Sequence, residues 1–349
     1  MPVTTTCVRE EATVRAPIFL GHGVPAEVLE LASLPDPDPP APDQVLIRVL
    51  VRPIHPGDLV GVRGQPGARA AGRLSRPITP GVEGMGIVEA TGSPGQGPPP
   101  GTRVAFFPAP GAWGEFVLAP AEFVVEIPDG VSDATAALML VNPLTLAMLM
   151  RAVEDALRDG RRTVVQTAAG SSIGTLVNAA AHRHGLRLIN LVRNPAGAQR
   201  LRARFPQTPV VTTADQGWPD QVRAAADGDV PVVLDAVGGE LTSDLVALLA
   251  DGGTLISYGQ LGAGSTALEA LPLTRRELTL RGVSVGRWSL LPAEQRAEDV
   301  AFATRLARTT PELLPVAATY DLGDLAAALD HVAHPGKDGT VLLTSPLPE

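Results

Sequence analysis

The sequence holds a single cysteine, Cys7, and a single lysine, Lys337. One thiol cannot close a disulfide within the chain, nor build a multi-cysteine zinc or iron–sulfur centre. One lysine leaves almost no room for Schiff-base chemistry at a buried amine. Tyr258 and Tyr320 are the only tyrosines. Long apolar runs are missing as well. The longest, residues 136–150, is interrupted by Asn142 and Pro143 and falls short of the ~20 residues of a spanning helix. Arg9, Glu10 and Glu11 stand where a secretory signal needs an apolar core. The expectation is a protein with no membrane partner, held in the reducing cytoplasm. Positive charge is scarce too: 28 Lys and Arg against 37 Asp and Glu, net −9. That balance argues against nucleic acid, whose phosphates call for a basic face.

Hydrophobic residues make up 45% of the 349, enough for a buried core in each of about two domains. Up to about residue 140 the pattern is β-rich. Residues 44–52 alternate apolar and polar, a half-buried strand. Shorter strands follow at 86–90, 103–107, 115–118 and 123–127, with Gly/Pro turns between them, as in a compact antiparallel barrel. Residues 34–42 and 93–100 read as proline-rich loops. Near residue 134 the character changes. Residues 134–150 and 152–157 read as helix, broken near Pro143. Strands at 163–167, 187–192, 209–212, 231–235 and 253–258 then alternate with helices at 173–184, 198–204, 220–226 and 241–249. This alternation predicts an α/β fold with a doubly wound parallel sheet. A last sheet strand is expected at 277–285, then two helical stretches after Pro292 and a final strand at 340–344.

The strand at 163–167 runs into Ala168-Ala169-Gly170-Ser171-Ser172-Ile173-Gly174 and a helix. Free amides at such a helix start suit a dinucleotide pyrophosphate. The glycine fingerprint of dinucleotide sites is not met: its first two glycines fall on Ala169 and Ser171, and only Gly174 remains. Small side chains at these positions still allow close backbone approach. The next strand ends at Val192-Arg193-Asn194, without the carboxylate that would hold the ribose hydroxyls of NAD. Arg193 can pair with a 2′-phosphate instead, which favours NADPH. Val237-Gly238 and Tyr258-Gly259 also follow strands, so both turns are candidate floors for the nicotinamide.

Three further runs lie in the first part: Pro53-Ile54-His55-Pro56-Gly57-Asp58, Gly81-Val82-Glu83-Gly84 and Gly111-Ala112-Trp113-Gly114-Glu115. Together with Val141-Asn142-Pro143-Leu144-Thr145 and the later turns, this order of motifs resembles the medium-chain dehydrogenase/reductase superfamily over nearly the whole chain. It is most similar to the zinc-independent quinone oxidoreductases and mitochondrial-type 2-enoyl thioester reductases. The resemblance implies a GroES-like catalytic domain, residues 1–141 and 289–349, around a Rossmann domain, residues 142–288. It also implies a homodimer paired through the last Rossmann strand. Asn142, Val283 and Val285 join the cofactor side by the same resemblance.

Zinc-dependent relatives carry a cysteine where His55 stands and a histidine in a Gly-His-Glu run. Here the run reads Gly81-Val82-Glu83, and valine cannot ligate, so no metal is expected. The thioester reductases take their proton from a tyrosine in a Gly-x-Tyr setting, which falls on Gly64-Gln65-Pro66. Quinones and activated enones need less acid help. The expected catalytic set is therefore His55 as acid, Asp58 orienting a neighbour, and Thr145 donating to a substrate or cofactor carbonyl. Arg63, Arg69, Arg73 and Arg76 are candidates for steering an anionic substrate. Two alternatives stay open: a 2-enoyl thioester reductase, and a non-catalytic protein that binds NADPH or a partner.

Overall fold

The computed structural model describes residues 13–64, 72–157, 160–228, 230–334 and 336–345. Its chain order begins β1 (Thr13–Ile18), α1 (Pro25–Val28), β2 (Glu30–Pro35), β3 (Gln44–Pro53), α2 (Pro56–Arg63), β4 (Gly84–Thr91), β5 (Arg103–Phe106), β6 (Phe116–Pro120), β7 (Val124–Glu126) and α3 (Asp133–Ala136). The alternating part follows: α4 (Val141–Ala156), β8 (Thr163–Gln166), α5 (Ser172–Ala181), β9 (Arg187–Val192), α6 (Pro195–Arg204), β10 (Val210–Thr212), α7 (Trp218–Ala226), β11 (Val230–Asp235), α8 (Glu240–Leu248), β12 (Leu249–Ser257), α9 (Ala270–Arg275), β13 (Thr279–Gly282) and α10 (Ala293–Thr309). The chain closes with β14 (Val316–Asp321), α11 (Leu325–Ala333) and β15 (Thr340–Thr344).

Contacts divide the chain into two units. The first is Met1–Leu138, Val316–His334 and Thr340–Glu349, as far as these are described; the second is Met139–Pro315 and Pro335–Gly339, with the same proviso. In the first unit a seven-stranded sheet runs β14-β15-β3-β4-β5-β7, with β6 on β3. Alternation in β3 buries Val45, Ile47 and Val49 against Val88, Val104 and Phe106. Burying each such side chain contributes roughly 1.5–3 kcal/mol. The second unit carries a six-stranded sheet in the order β10-β9-β8-β11-β12-β13, parallel at every pairing. Strands β8, β9 and β11 are dominated by buried apolar side chains, as in a parallel sheet covered by helices on both faces. Val165, Ile189, Val233 and Leu255 pack there with Trp218 and Leu245.

The structure differs from the sequence reading at several places. Pro143 does not break a helix. It lies in the first turn of α4, where a missing N–H costs nothing, and α3 is a separate turn. The edge strand β13 is four residues long, not 277–285: Glu277 takes a positive φ of 51°, and a 3₁₀ segment starts at Val285. β14 occupies a stretch with no expected strand. The second unit also runs past residue 288. Asp299 of α10 is 3% exposed and accepts from both Arg151 terminal nitrogens on α4, at 2.5 and 2.9 Å, and from Trp288 Nε1 at 3.1 Å. Those bonds fasten α10 to the α/β unit. Among the described residues no helix is long and apolar enough to cross a membrane.

Candidate cofactor and active site

In the second unit the site is built at the carboxyl ends of the parallel strands. β8 runs out at Gln166, and Ala168 turns the chain with a φ of 47°. Ser171 then caps α5, its Oγ accepting from Gly174 N at 3.1 Å. Gly174 has no room for a side chain: a β-carbon there would lie 2.6 Å from the carbonyl oxygens of both Ala168 and Ala169. Ala169 N donates to Leu191 O at 3.3 Å, joining the turn to β9. Gly170 faces open space, with nothing within 4 Å of its β-carbon position. The first amides of a helix lack intrahelical partners, and the helix dipole favours an anion beside them.

Arg193 follows β9 and is exposed. Next to it Asn194 caps α6 by accepting from Gly197 N at 2.9 Å. The turn after β11 hangs on Asp235, which is fully buried. Its carboxylate accepts from Thr167 Oγ1 at 2.9 Å, Val237 N at 2.9 Å and Thr242 Oγ1 at 2.7 Å. One acid thus ties the end of β8 to the Val237-Gly238 turn. Gly238 and Gly239 take φ of 72° and 67°, which suits glycine. Beside them Tyr258 N donates to Asp235 O at 2.9 Å. Its ring is half-buried, and among the described residues its buried hydroxyl has no hydrogen-bond partner. Burial, then the charge of Asp235, raises this phenol above its usual range, so it stays protonated. Val283 N donates to Ser257 O at 2.8 Å just beyond β13, and Val285 opens the 3₁₀ segment.

Asn142 and Thr145 lie in the first turns of α4, 6% and 8% exposed. Thr145 Oγ1 donates to Val141 O at 2.6 Å. A hydroxyl has one proton to give; in this structure Thr145 gives it to its own helix rather than toward the expected substrate or cofactor carbonyl, and its lone pairs remain able to accept.

The first unit holds the other expected groups. β3 ends at Pro53, and His55 stands at the N-terminus of α2, with Pro56 at the first helical position. His55 Nε2 lies 2.6 Å from Glu83 Oε2, and the two residues are 8% and 1% exposed. Asp58 Oδ2 accepts from His55 N at 2.9 Å. Burial pushes the Asp58 carboxyl up to about 6, with the neighbouring His55 pulling the other way. Trp113, fully buried, donates from Nε1 to Pro53 O at 3.1 Å. It packs on Gly81, where a β-carbon would lie 2.2 Å from Trp113 Cδ1. Glu83 was present in the sequence as part of a glycine run, and only its pairing with His55 marks it as a site residue.

Catalytic zinc takes three protein ligands. His55 and Glu83 offer two donors already bonded to each other, and Val82 offers no side-chain donor. Among the described residues no group of three His, Cys, Asp or Glu gathers. The donor set does not fit zinc. The dinucleotide fit is better: an open cradle at Gly170, an arginine after β9 and an orphaned hydroxyl at Tyr258 line one edge of one sheet. Gln65, Pro66 and Arg69 lie outside the described residues, while Arg63, Arg73 and Arg76 are exposed.

Residues 41–129 match the family model described as alcohol dehydrogenase GroES-like domain, and residues 172–303 the one described as zinc-binding dehydrogenase. The mitochondrial enoyl-[acyl-carrier-protein] reductase of Rattus norvegicus is 30% identical over 286 residues, covering 80% of this chain and 74% of its own. Its counterpart in Bos taurus is 29% identical over 341 residues, with 96% and 90% covered. Among solved structures, a protein from Bacillus thuringiensis provisionally named NADPH:quinone reductase superposes with a TM-score of 0.83 at 30% identity, over 96% of this chain and all (100%) of that one. The quinone oxidoreductase of Escherichia coli, solved with NADPH, has a TM-score of 0.82 at 22% identity over 95% of this chain and 100% of its own; that likeness bears on the fold alone.

Proposed function

The chain belongs to the medium-chain dehydrogenase/reductase superfamily, and from its site geometry we propose an NADPH-dependent, zinc-independent oxidoreductase that reduces a quinone or an α,β-unsaturated carbonyl. The observation that carries this reading is the Ser171-capped turn closed on Gly174, with Arg193 exposed just after the next strand. The first turn of α5 at Ser172 and Ile173, capped by Ser171, would hold the pyrophosphate, with Ala169 and Gly170 leaving room for it. Arg193 would hold the 2′-phosphate. The turns Val237-Gly238 and Tyr258-Gly259 would floor the nicotinamide, flanked by Asn142, Val283 and Val285. NADPH, when bound, supplies the hydride.

The chain's own task is then to hold the acceptor and supply one proton to the oxyanion that develops. His55 is the proposed proton source, its ring oriented by Glu83 and its backbone by Asp58. Thr145 is proposed to accept a hydrogen bond from the cofactor amide. The acceptor gains two electrons and one proton with the hydride and the second proton from His55, so quinone goes to hydroquinone and enone to saturated ketone.

The likeness to enoyl-[acyl-carrier-protein] reductases favours a second reading, an enoyl thioester reductase. Against it stands Pro66 at the position where that branch carries its tyrosine. β13 is an edge strand whose four residues are exposed, and a second copy pairing there would remove the open edge; a homodimer is the proposed assembly. The cytoplasm is the proposed compartment, on the single thiol and the lack of a spanning helix among the described residues. Steady-state oxidation of NADPH with quinones, enones and enoyl thioesters tests the proposal. Turnover with quinones and activated enones supports it; no oxidation with any acceptor would leave a binding protein.

A further inference from the structure

Directly beneath the cofactor turn lies a cluster of buried carboxamides. Gln166, Asn178 and Asn190 are 0%, 7% and 0% exposed, beside strands whose buried side chains are mostly apolar. Gln166 and Asn190 are register partners on β8 and β9, and Asn178 reaches them from α5. Gln166 Nε2 donates to Asn190 Oδ1 at 2.7 Å and to Gly174 O at 3.1 Å. Asn178 Nδ2 donates to the same Gly174 O at 2.9 Å and to Asn190 Oδ1 at 3.1 Å. Asn190 Nδ2 returns a bond to Asn178 Oδ1 at 2.8 Å.

Filling space does not require this. Valine or leucine would fill a strand interior without desolvating three amides. The arrangement even leaves Gln166 Oε1 buried with no partner among the described residues, an unfavourable state for a polar atom. What the cluster does achieve is convergence on one carbonyl. Gly174 is held at its oxygen by two side chains from below and at its nitrogen by Ser171, and the carbonyls of Ala168 and Ala169 leave no room for a β-carbon on it. The first turn of α5 cannot tilt or slide without breaking a buried bond.

We propose that Gln166, Asn178 and Asn190 are positioning residues for dinucleotide binding. They fix the first-turn amides of α5 in the orientation that a pyrophosphate needs, so that alignment need not be achieved on binding. The proposal rests on the reading of the turn given above. It predicts which part of the ligand feels the cluster: the pyrophosphate, and not the 2′-phosphate held after β9.

The test uses the full chain with Gln166→Met, which keeps shape and removes the donor, and Asn178→Ala, which keeps a good helix former. Dissociation constants are measured for NADPH, NADH and 2′-AMP, the last carrying the 2′-phosphate but no pyrophosphate. Thermal melts are recorded alongside. NADPH and NADH are expected to weaken by the same factor, about tenfold for Gln166→Met, with 2′-AMP bound as by the parent chain. Should Gln166→Met fail to fold, Asn178→Ala carries the same comparison. Folded variants that bind NADPH like the parent would overturn the proposal, and so would a parallel loss of 2′-AMP, which marks general loosening. A Gly174→Val variant separates the two layers of the argument. If it binds NADPH normally, the turn is not the pyrophosphate site and both readings fall. If it loses NADPH while Gln166→Met and Asn178→Ala do not, only the role of the amide cluster is wrong.

Discussion

His55 Nε2 and Glu83 Oε2 meet at 2.6 Å between two residues that are nearly closed to solvent. A carboxylate so placed fixes the orientation of the ring. His55→Ala is therefore expected to lower enone reduction by 10²–10⁴-fold, the usual range for general-acid help. Quinone reduction, whose product oxyanion can draw its proton from water, should change little. Rates with both acceptors at saturating NADPH check this; equal losses would make His55 a structural residue.

Among the described residues no carboxylate pairs with Arg193. Charge-assisted pairing with a 2′-phosphate contributes on the order of 1.5–3 kcal/mol, so Arg193→Ala should weaken NADPH by about tenfold or more. NADH should bind as before. Titrations of both nucleotides decide the matter, and a matching loss for NADH would assign Arg193 to the fold.

Asp58 gives a pH signature. Its carboxyl is raised from 3.8 to about 6, so the folded chain holds this proton more tightly than the unfolded one. Stability is then lost as pH rises through that interval, by up to about 3 kcal/mol. Asn at this position keeps an acceptor for His55 N–H without the buried charge. Asp58→Asn is expected to stabilise the protein above pH 7 and to match the parent near pH 4. Urea melts at the two pH values test it; a gain of the same size at both would mean that the charge is not responsible.

Zinc should be dispensable. Purified protein is expected to hold no stoichiometric zinc by elemental analysis and to keep its activity in a chelator. One zinc per chain, with activity lost on removal, would contradict the donor count at His55, Val82 and Glu83.

The sheet strands were legible where apolar runs end at clear turn residues: β9 and β15 fall on the expected 187–192 and 340–344. β14 was not, because its side chains are half-exposed and show no clean alternation. α2 was not either, since it spans eight residues and includes Gly57 and Gly61. The cofactor turn could be read from one glycine and small neighbours in a strand–turn–helix context. Asp235 and the carboxamides at 166, 178 and 190 could not. Each is a polar residue in an apolar run, and only strand register and helix packing bring them under the turn. The bond that Thr145 makes to a carbonyl four residues back on its own helix was not legible either, since it depends on the side-chain rotamer.

Acceptor preference is the most direct test. NADPH oxidation should be followed with a simple benzoquinone, an activated enone and crotonyl thioester, each with the parent chain and with His55→Ala. The account predicts rapid turnover of quinone by both, of enone by the parent chain alone, and little turnover of thioester by either. Rapid reduction of the thioester that survives the loss of His55 would contradict it, because the proton would then come from a group other than the one assigned.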